Sequence, residues 1–175
     1  MNSSALNQDL IDTSHLPKSE DPVSNERKEI IGEILELYQC RPTPKLYRHF
    51  CPDAHFEDPI CDARNLTEIK AQFNGMPSIF PVSQTKQCQV IFNRQNEVHI
   101  DLWQEYTFAV FRNVKLMKSL VVVQFDDQGR VSQLEDRWNY KDSWRERHFW
   151  SPLTNALRRA NARLLPKFVN TDCVY

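Results

Sequence analysis

The residues best suited to chemistry begin mid-chain, where His99, Asp101, Trp103 and Glu105 recur at every second position. Successive side chains of an extended strand point to opposite faces, so these four share one face and Val98, Ile100, Leu102, Gln104 and Tyr106 share the other. Further on, Leu134, Asp136, Trp138 and Tyr140 share a face opposite Gln133, Glu135 and Arg137. A carboxylate among apolar groups is costly to ionise, so it finds a hydrogen-bond partner or keeps its proton to higher pH. Two such carboxylates in one apolar space share a proton and supply an acid and a base near neutrality. Alternation alone does not decide which faces look inward. Each group also has a structural use: Asp136 can bond a neighbouring strand, and Arg137 can pair with Glu135 on an outer surface.

Other chemistries find less support. His99 and Asp101 could grip a metal from one strand, but no third ligand is spaced to join them. His55 and Asp58 stand just before Pro59, where an Asp ordinarily closes a turn. The five cysteines show no CxxC spacing, and only Cys51 has a basic neighbour, His49; they read as reduced thiols in the core or at its rim. Among only three glycines there is no phosphate-cradling loop and no EF-type loop, so no metal or nucleotide cofactor is expected. A net charge of −1 argues against a general nucleic-acid binder, which needs excess Lys and Arg. Residues 141–169 nevertheless carry seven Lys or Arg against two acids, and an anionic partner would meet the chain there.

The elements that must position these groups follow from period and punctuation. Residues 1–24 are polar, aperiodic and proline-containing, and read as a disordered tail. Ile30, Ile31, Ile34, Leu37 and Tyr38 then recur at helical spacing behind a cap at Ser24 or Asn25. A second short helix carries Leu46, Tyr47 and Phe50 and ends at Pro52, and a brief strand stops at Pro59. A third helix is capped by Asn65, carries Leu66, Ile69, Ala71 and Phe73, and stops near Gly75 and Pro77. Runs at 85–93, 97–111, 115–126 and 130–140 are rich in β-branched and aromatic residues and are separated by short turn signals, which predicts an antiparallel meander. A last helix starts at Ser151-Pro152, its stripe of Leu153, Ala156, Leu157, Ala160 and Leu164 facing the domain and Arg158, Arg159 and Arg163 facing out. Trp144, Phe149 and Trp150 read as packing between that helix and the sheet. The first ten residues lack the pattern of a secretory leader and no stretch of about 18 apolar residues occurs, so a protein of the cytoplasm, or of cytoplasm and nucleus, is expected.

This order, with His55-Phe56-Glu57-Asp58-Pro59, the Ile69-Lys70-Ala71-Gln72-Phe73 helix, and Gly129-Arg130-Val131 leading to Glu135-Asp136-Arg137-Trp138, resembles the SnoaL-like branch of the nuclear transport factor 2-like superfamily. It is similar to a group of eukaryotic SnoaL-like proteins. The resemblance covers residues 25–142, leaving a helical extension at 143–175 outside it. It implies an α+β fold: a cone-shaped curved antiparallel sheet closed by three N-terminal helices, with an extra C-terminal helix, around an apolar pocket. In limonene-epoxide-hydrolase-like relatives a final-strand carboxylate is the general base, and that position falls on Asp136. The relatives' Arg-x-Asp falls near Trp103 and Glu105, so the arginine is missing and epoxide hydrolysis itself is not implied. The resulting expectation is Asp136 as base with Glu105 or His99 as partner acid, in a pocket lined by Tyr47, Phe56, Phe73 and Phe80 from the first half. Trp103, Tyr106, Trp138 and Tyr140 complete the lining from the strands, Tyr106 or Tyr140 orienting a small hydrophobic ligand. The competing expectation is a non-catalytic interaction module that dimerises through the outer sheet face. The basic last helix either contacts an anionic partner or is a solvated face.

Overall fold

The structure, a computed structural model, describes residues 22–140 and 151–172; the tail before Pro22 and the aromatics Trp144, Phe149 and Trp150 lie outside the described residues. Helix α1 spans Asn25–Tyr38, and Ser24 caps it by accepting the Arg27 N–H at 3.2 Å. A 3-10 turn, Pro44–Tyr47, stands where a second helix was expected. Strand β1 then runs Phe50–Glu57 straight through Pro52. The proline is tolerated because it falls in the irregular stretch between Phe50 and His55, where the ladder to the next strand is interrupted. After the two-residue β2 (Asp62–Ala63), α2 spans Leu66–Ile79, with Asn65 accepting the Glu68 N–H at 3.0 Å. It continues past Gly75 and Pro77, beyond the expected stop.

Four long strands follow: β3 (Val82–Arg94), β4 (Glu97–Thr107), β5 (Val114–Phe125) and β6 (Val131–Trp138). The sheet order is β2-β1-β6-β5-β4-β3, an open, curved, mixed sheet in which β1 joins β6 in parallel and all other pairs are antiparallel. Gly129, at φ +77°, makes the turn into β6 that a side chain would strain. This is the α+β architecture expected, with β1 added in parallel to the meander.

Register fixes the two faces. Ile100 opposes Val121, which opposes Asp136, and Val98, Val123 and Leu134 form the next row on the same side. These residues meet α1 and α2: Ile34, Leu37 and Phe73 are essentially sealed, and Phe73 stacks against Phe56 at 5.1 Å and Tyr38 at 5.6 Å. Burying this inner face is what holds helices to sheet.

The last helix, α3 (Ser151–Leu164), turns Arg158 and Arg159 inward, against expectation, while Arg163 is exposed as expected. Arg158 is buried, donating to Glu57 Oε1 at 2.9 Å, to the Cys61 carbonyl at 2.8 Å and to the Asp58 carbonyl at 2.9 Å. Arg159 forks onto both Glu68 oxygens at 2.6 and 2.8 Å. Ala162 is sealed, whereas Leu157, Leu164 and Phe168 are exposed. The arginines find their anions within the chain because β1, β2 and α2 present acids and bare carbonyls that an apolar stripe could not satisfy.

Candidate functional site

Asp136 lies on the inner face and is 6% exposed. Trp138 Nε1 donates to its Oδ2 at 3.1 Å, while Oδ1 has no hydrogen-bond partner. Burial raises its pKa to about 6, against the opposing pull of donors from Ser119, Trp138 and Tyr38. Tyr38, the last residue of α1, leans toward this carboxyl, but its Oη forms no well-aligned hydrogen bond and is itself buried. Burial first, then the charges of Asp136, Tyr106 and Asp58, push the Tyr38 hydroxyl well above its ordinary pKa. Tyr106, buried on β4, is raised by burial and by the same two carboxylates.

Asp58 completes this group. Its Oδ1 accepts the N–H groups of Ile60 at 2.7 Å and Cys61 at 2.6 Å, closing the turn at Pro59. The residue is half-buried, with the carboxyl enclosed, and burial followed by the charge of Asp136 raises its pKa to about 7. Two backbone donors and Arg158 hold it from rising further. Two enclosed carboxyls, both with raised pKa and the charge of Asp136 adding to the rise at Asp58, thus lie within electrostatic reach of two buried phenols.

The partner acids expected from sequence lie elsewhere. His99, Asp101, Trp103 and Glu105 occupy the outer face, because the apolar alternates Val98, Ile100 and Leu102 take the inner one. Glu105 pairs with Lys86 at 2.9 Å, and His99 Nε2 meets Glu97 at 2.6 Å while its ring packs on Phe92. Neither reaches Asp136 through the sheet. Trp103 and Tyr140, expected in the pocket, belong to an outer cluster around Asp101. Its Oδ1 accepts from Tyr140 Oη and, at 3.0 Å, from Trp103 Nε1, and its Oδ2 accepts from Gln87 at 2.6 Å.

The remaining expected lining residues divide. Phe56, Phe73, Tyr106 and Trp138 are on the inner side, and Phe80 stacks over Tyr106 at 4.6 Å. Tyr47 turns away to donate to Asn74 Oδ1 at 2.8 Å. An open concavity of about 560 Å³ is lined by Phe92, Arg94, Gln95, Asn96 and Glu97 at the β3–β4 turn, and none of its strand residues shares the face of Asp136. Among the described residues one carboxylate–histidine group, Glu29, Glu33 and His49, has metal-like spacing, but Arg48 already bonds Glu29, Glu33 and His49 there. A cation is built in.

Sequence reading missed Tyr38, whose helical position marks it only as apolar, and for Asp58, near the expected cavity mouth, it favoured closing a turn over chemistry. Nothing in spacing links either to Asp136.

No protein-family model matches the sequence, and no curated protein does. Solved structures match the backbone. An NTF2-like protein from Anabaena variabilis superposes with a TM-score of 0.56 at 11% identity, over 66% of this chain and 87% of that one. The epoxide hydrolase/cyclase-like enzyme SalBIII, described in pyran ring formation in the polyether salinomycin, gives 0.52 at 16% identity, over 65% and 90%. A hexachlorocyclohexane dehydrochlorinase, LinA Type2, gives 0.52 at 13% identity, over 65% and 82%. No helix among the described residues is long and apolar enough to cross a membrane. Such identities speak to architecture alone, over about two thirds of this chain: the chain has the nuclear transport factor 2-like fold.

Proposed function

We propose that the chain binds a small hydrophobic molecule against the inner face of its sheet and transforms it by cofactor-free proton transfer, as in an isomerisation, dehydration or hydrolysis. One observation carries this: Asp136 Oδ1 and Tyr38 Oη are buried polar atoms in an otherwise apolar interior, interacting with each other's groups but with no well-aligned hydrogen bond. Buried polar groups are ordinarily satisfied, and an exception marks a place where something else bonds. In this reading ionised Asp136 removes a proton from carbon or from water. Protonated Asp58, rather than Glu105 or His99, returns one to the departing or developing oxygen. A pKa near neutrality lets each carboxyl serve in the form its step needs. Tyr38 and Tyr106, neutral at all ordinary pH, orient a carbonyl or hydroxyl of the substrate. The neighbours described in cyclisation and dehydrochlorination share this fold, which hosts many chemistries; the site residues carry the proposal.

Native mass spectrometry after incubation with a panel of apolar carbonyl compounds tests it. Retention of one compound by the parent and its loss in Asp136→Asn, at unchanged circular dichroism, is the expected result. Equal retention by the variant would remove Asp136 from the site. The second reading, a non-catalytic module pairing through the outer face, is favoured by the half-buried Trp103 there. It predicts a dimer that Trp103→Ala weakens and Asp136→Asn does not.

A further inference from the structure

Six apolar side chains crowd one end of the sheet in contact with solvent. Ile79 ends α2, Val82 opens β3, Val110 and Phe111 occupy the β4–β5 turn, and Val114 and Leu116 open β5; their exposures run from 44% to 82%. They form one rim, because the Ala109 N–H donates to the Ile79 carbonyl at 2.9 Å, and Val82, Thr107 and Val114 are neighbours in the ladder. Isolated exposed aliphatics need no account, but a contiguous group of this size marks a contact surface.

Charge says what kind. From Tyr106 to Phe125 the sequence contains no Asp or Glu, and its charges are Arg112, Lys115 and Lys118. Lys118 sits over the Trp103 ring at 3.9 Å. Arg112 and Lys115 are exposed and, among the described residues, have no ion-pair partner. The nearest acid on the ladder, Glu105, is neutralised by Lys86. The rim is a protruding turn rather than a groove, with Val110 and Phe111 both at least 80% exposed. A rigid partner would need a matching cleft, whereas the boundary between lipid headgroups and acyl chains moulds around aromatic and aliphatic tips while its phosphates meet flanking cations.

We propose that this rim docks the protein on an anionic lipid surface. Val110 and Phe111 enter the headgroup region, and Arg112 and Lys115 lie against the phosphates. Immediately inside the rim, Phe80 stacks on Tyr106 and on Phe108, the latter at 5.0 Å, so docking brings the bilayer to the aromatic end of the inner face. The surface stands independently of the acid/base reading of Asp136.

The test is co-sedimentation of the full chain with vesicles of phosphatidylcholine, alone or mixed with phosphatidylserine, alongside sedimentation velocity without lipid. The parent should pellet with the serine-containing vesicles and release at high salt. Joint Val110→Asp and Phe111→Asp substitution should weaken binding at least about tenfold, since each buried apolar side chain contributes that much or more. Arg112→Glu with Lys115→Glu should weaken it about fivefold per residue or more. All four positions are exposed, so folding should be unaffected, which circular dichroism checks. No pelleting, equal pelleting with both vesicles, or unchanged pelleting of both variants would each overturn the proposal. So would a lipid-free dimer that Phe111→Asp dissociates, which would make the rim an interface between copies.

Discussion

On the outer face of the sheet Asp101 accepts from Gln87, Trp103 and Tyr140, Glu105 pairs with Lys86, Glu135 with Arg137, and Glu57 with Arg158. On the inner face, across the thickness of the same strands, Asp136 has one well-aligned donor, the Trp138 indole, with the Ser119 and Tyr38 hydroxyls beside it. The outer acids are held by hydrogen bonds and ion pairs; the inner one is held by packing, and burial raises its pKa. Carboxylates bound into ion pairs and a carboxylate enclosed by packing are thereby separated by one register step along the chain.

The strongest way to sharpen this contrast is to break an outer pair. Arg158→Ala removes a buried guanidinium from Glu57 and from the Cys61 and Asp58 carbonyls and should cost about 3–5 kcal/mol in urea unfolding; a loss under about 1 kcal/mol would mean that α3 contributes little to the fold. Asp136→Asn should move stability the other way, and only at higher pH. The folded pKa of Asp136 is raised above the ordinary 3.8 to about 6, so its contribution is fully present below pH 4 and is lost as pH rises through about 6. The variant should therefore match the parent near pH 4 and exceed it by up to about 3 kcal/mol near pH 8. In that variant the carboxyl of Asp58, relieved of its neighbour's charge, should titrate below its present value of about 7, as carbon-detected NMR would read. A flat difference across pH would place Asp136 among the structural acids.

Smaller effects separate the two phenols. Tyr47→Phe discards a bonded hydroxyl and leaves Asn74 without its donor, costing about 1 kcal/mol, whereas Tyr38→Phe removes one with no well-aligned bond and should cost less while weakening any ligand. Equal costs would show that Tyr38 is a structural residue. Smallest of all, Glu105→Gln should change stability by less than about 0.5 kcal/mol and leave ligand binding intact, because its ion pair is exposed.

Caps, strands and turns were legible because their signals are local: Ser24 and Asn65 cap as their positions demand, and the four long strands fall within a few residues of the apolar runs. The position of Asp136 beside Leu134 was legible for the same reason. Pairing it with Glu105 failed because alternation orders side chains within a strand and says nothing across strands. There the apolar set Val98, Ile100 and Leu102 was the available signal, and it assigns Glu105 to the other face. The docking of α3 was illegible on any local ground. Its amphipathic pattern promised an apolar contact, but the acids that claim Arg158 and Arg159 lie 101 and 91 residues earlier.

The parallel junction of β1 with β6 carries a consequence in time. Residues 50–57 can enter the sheet only after residues 131–135 are present and their own hairpin with β5 has formed. The first third of the chain, including Tyr38 and Asp58, therefore emerges with its apolar helix faces unclaimed and waits through the synthesis of four strands. Contacts so distant in sequence make for slow folding and for a long interval in which the chain is open to wrong partners. The pair of carboxyls at Asp58 and Asp136 comes into being only when that junction closes, so it reports completed folding of the whole domain.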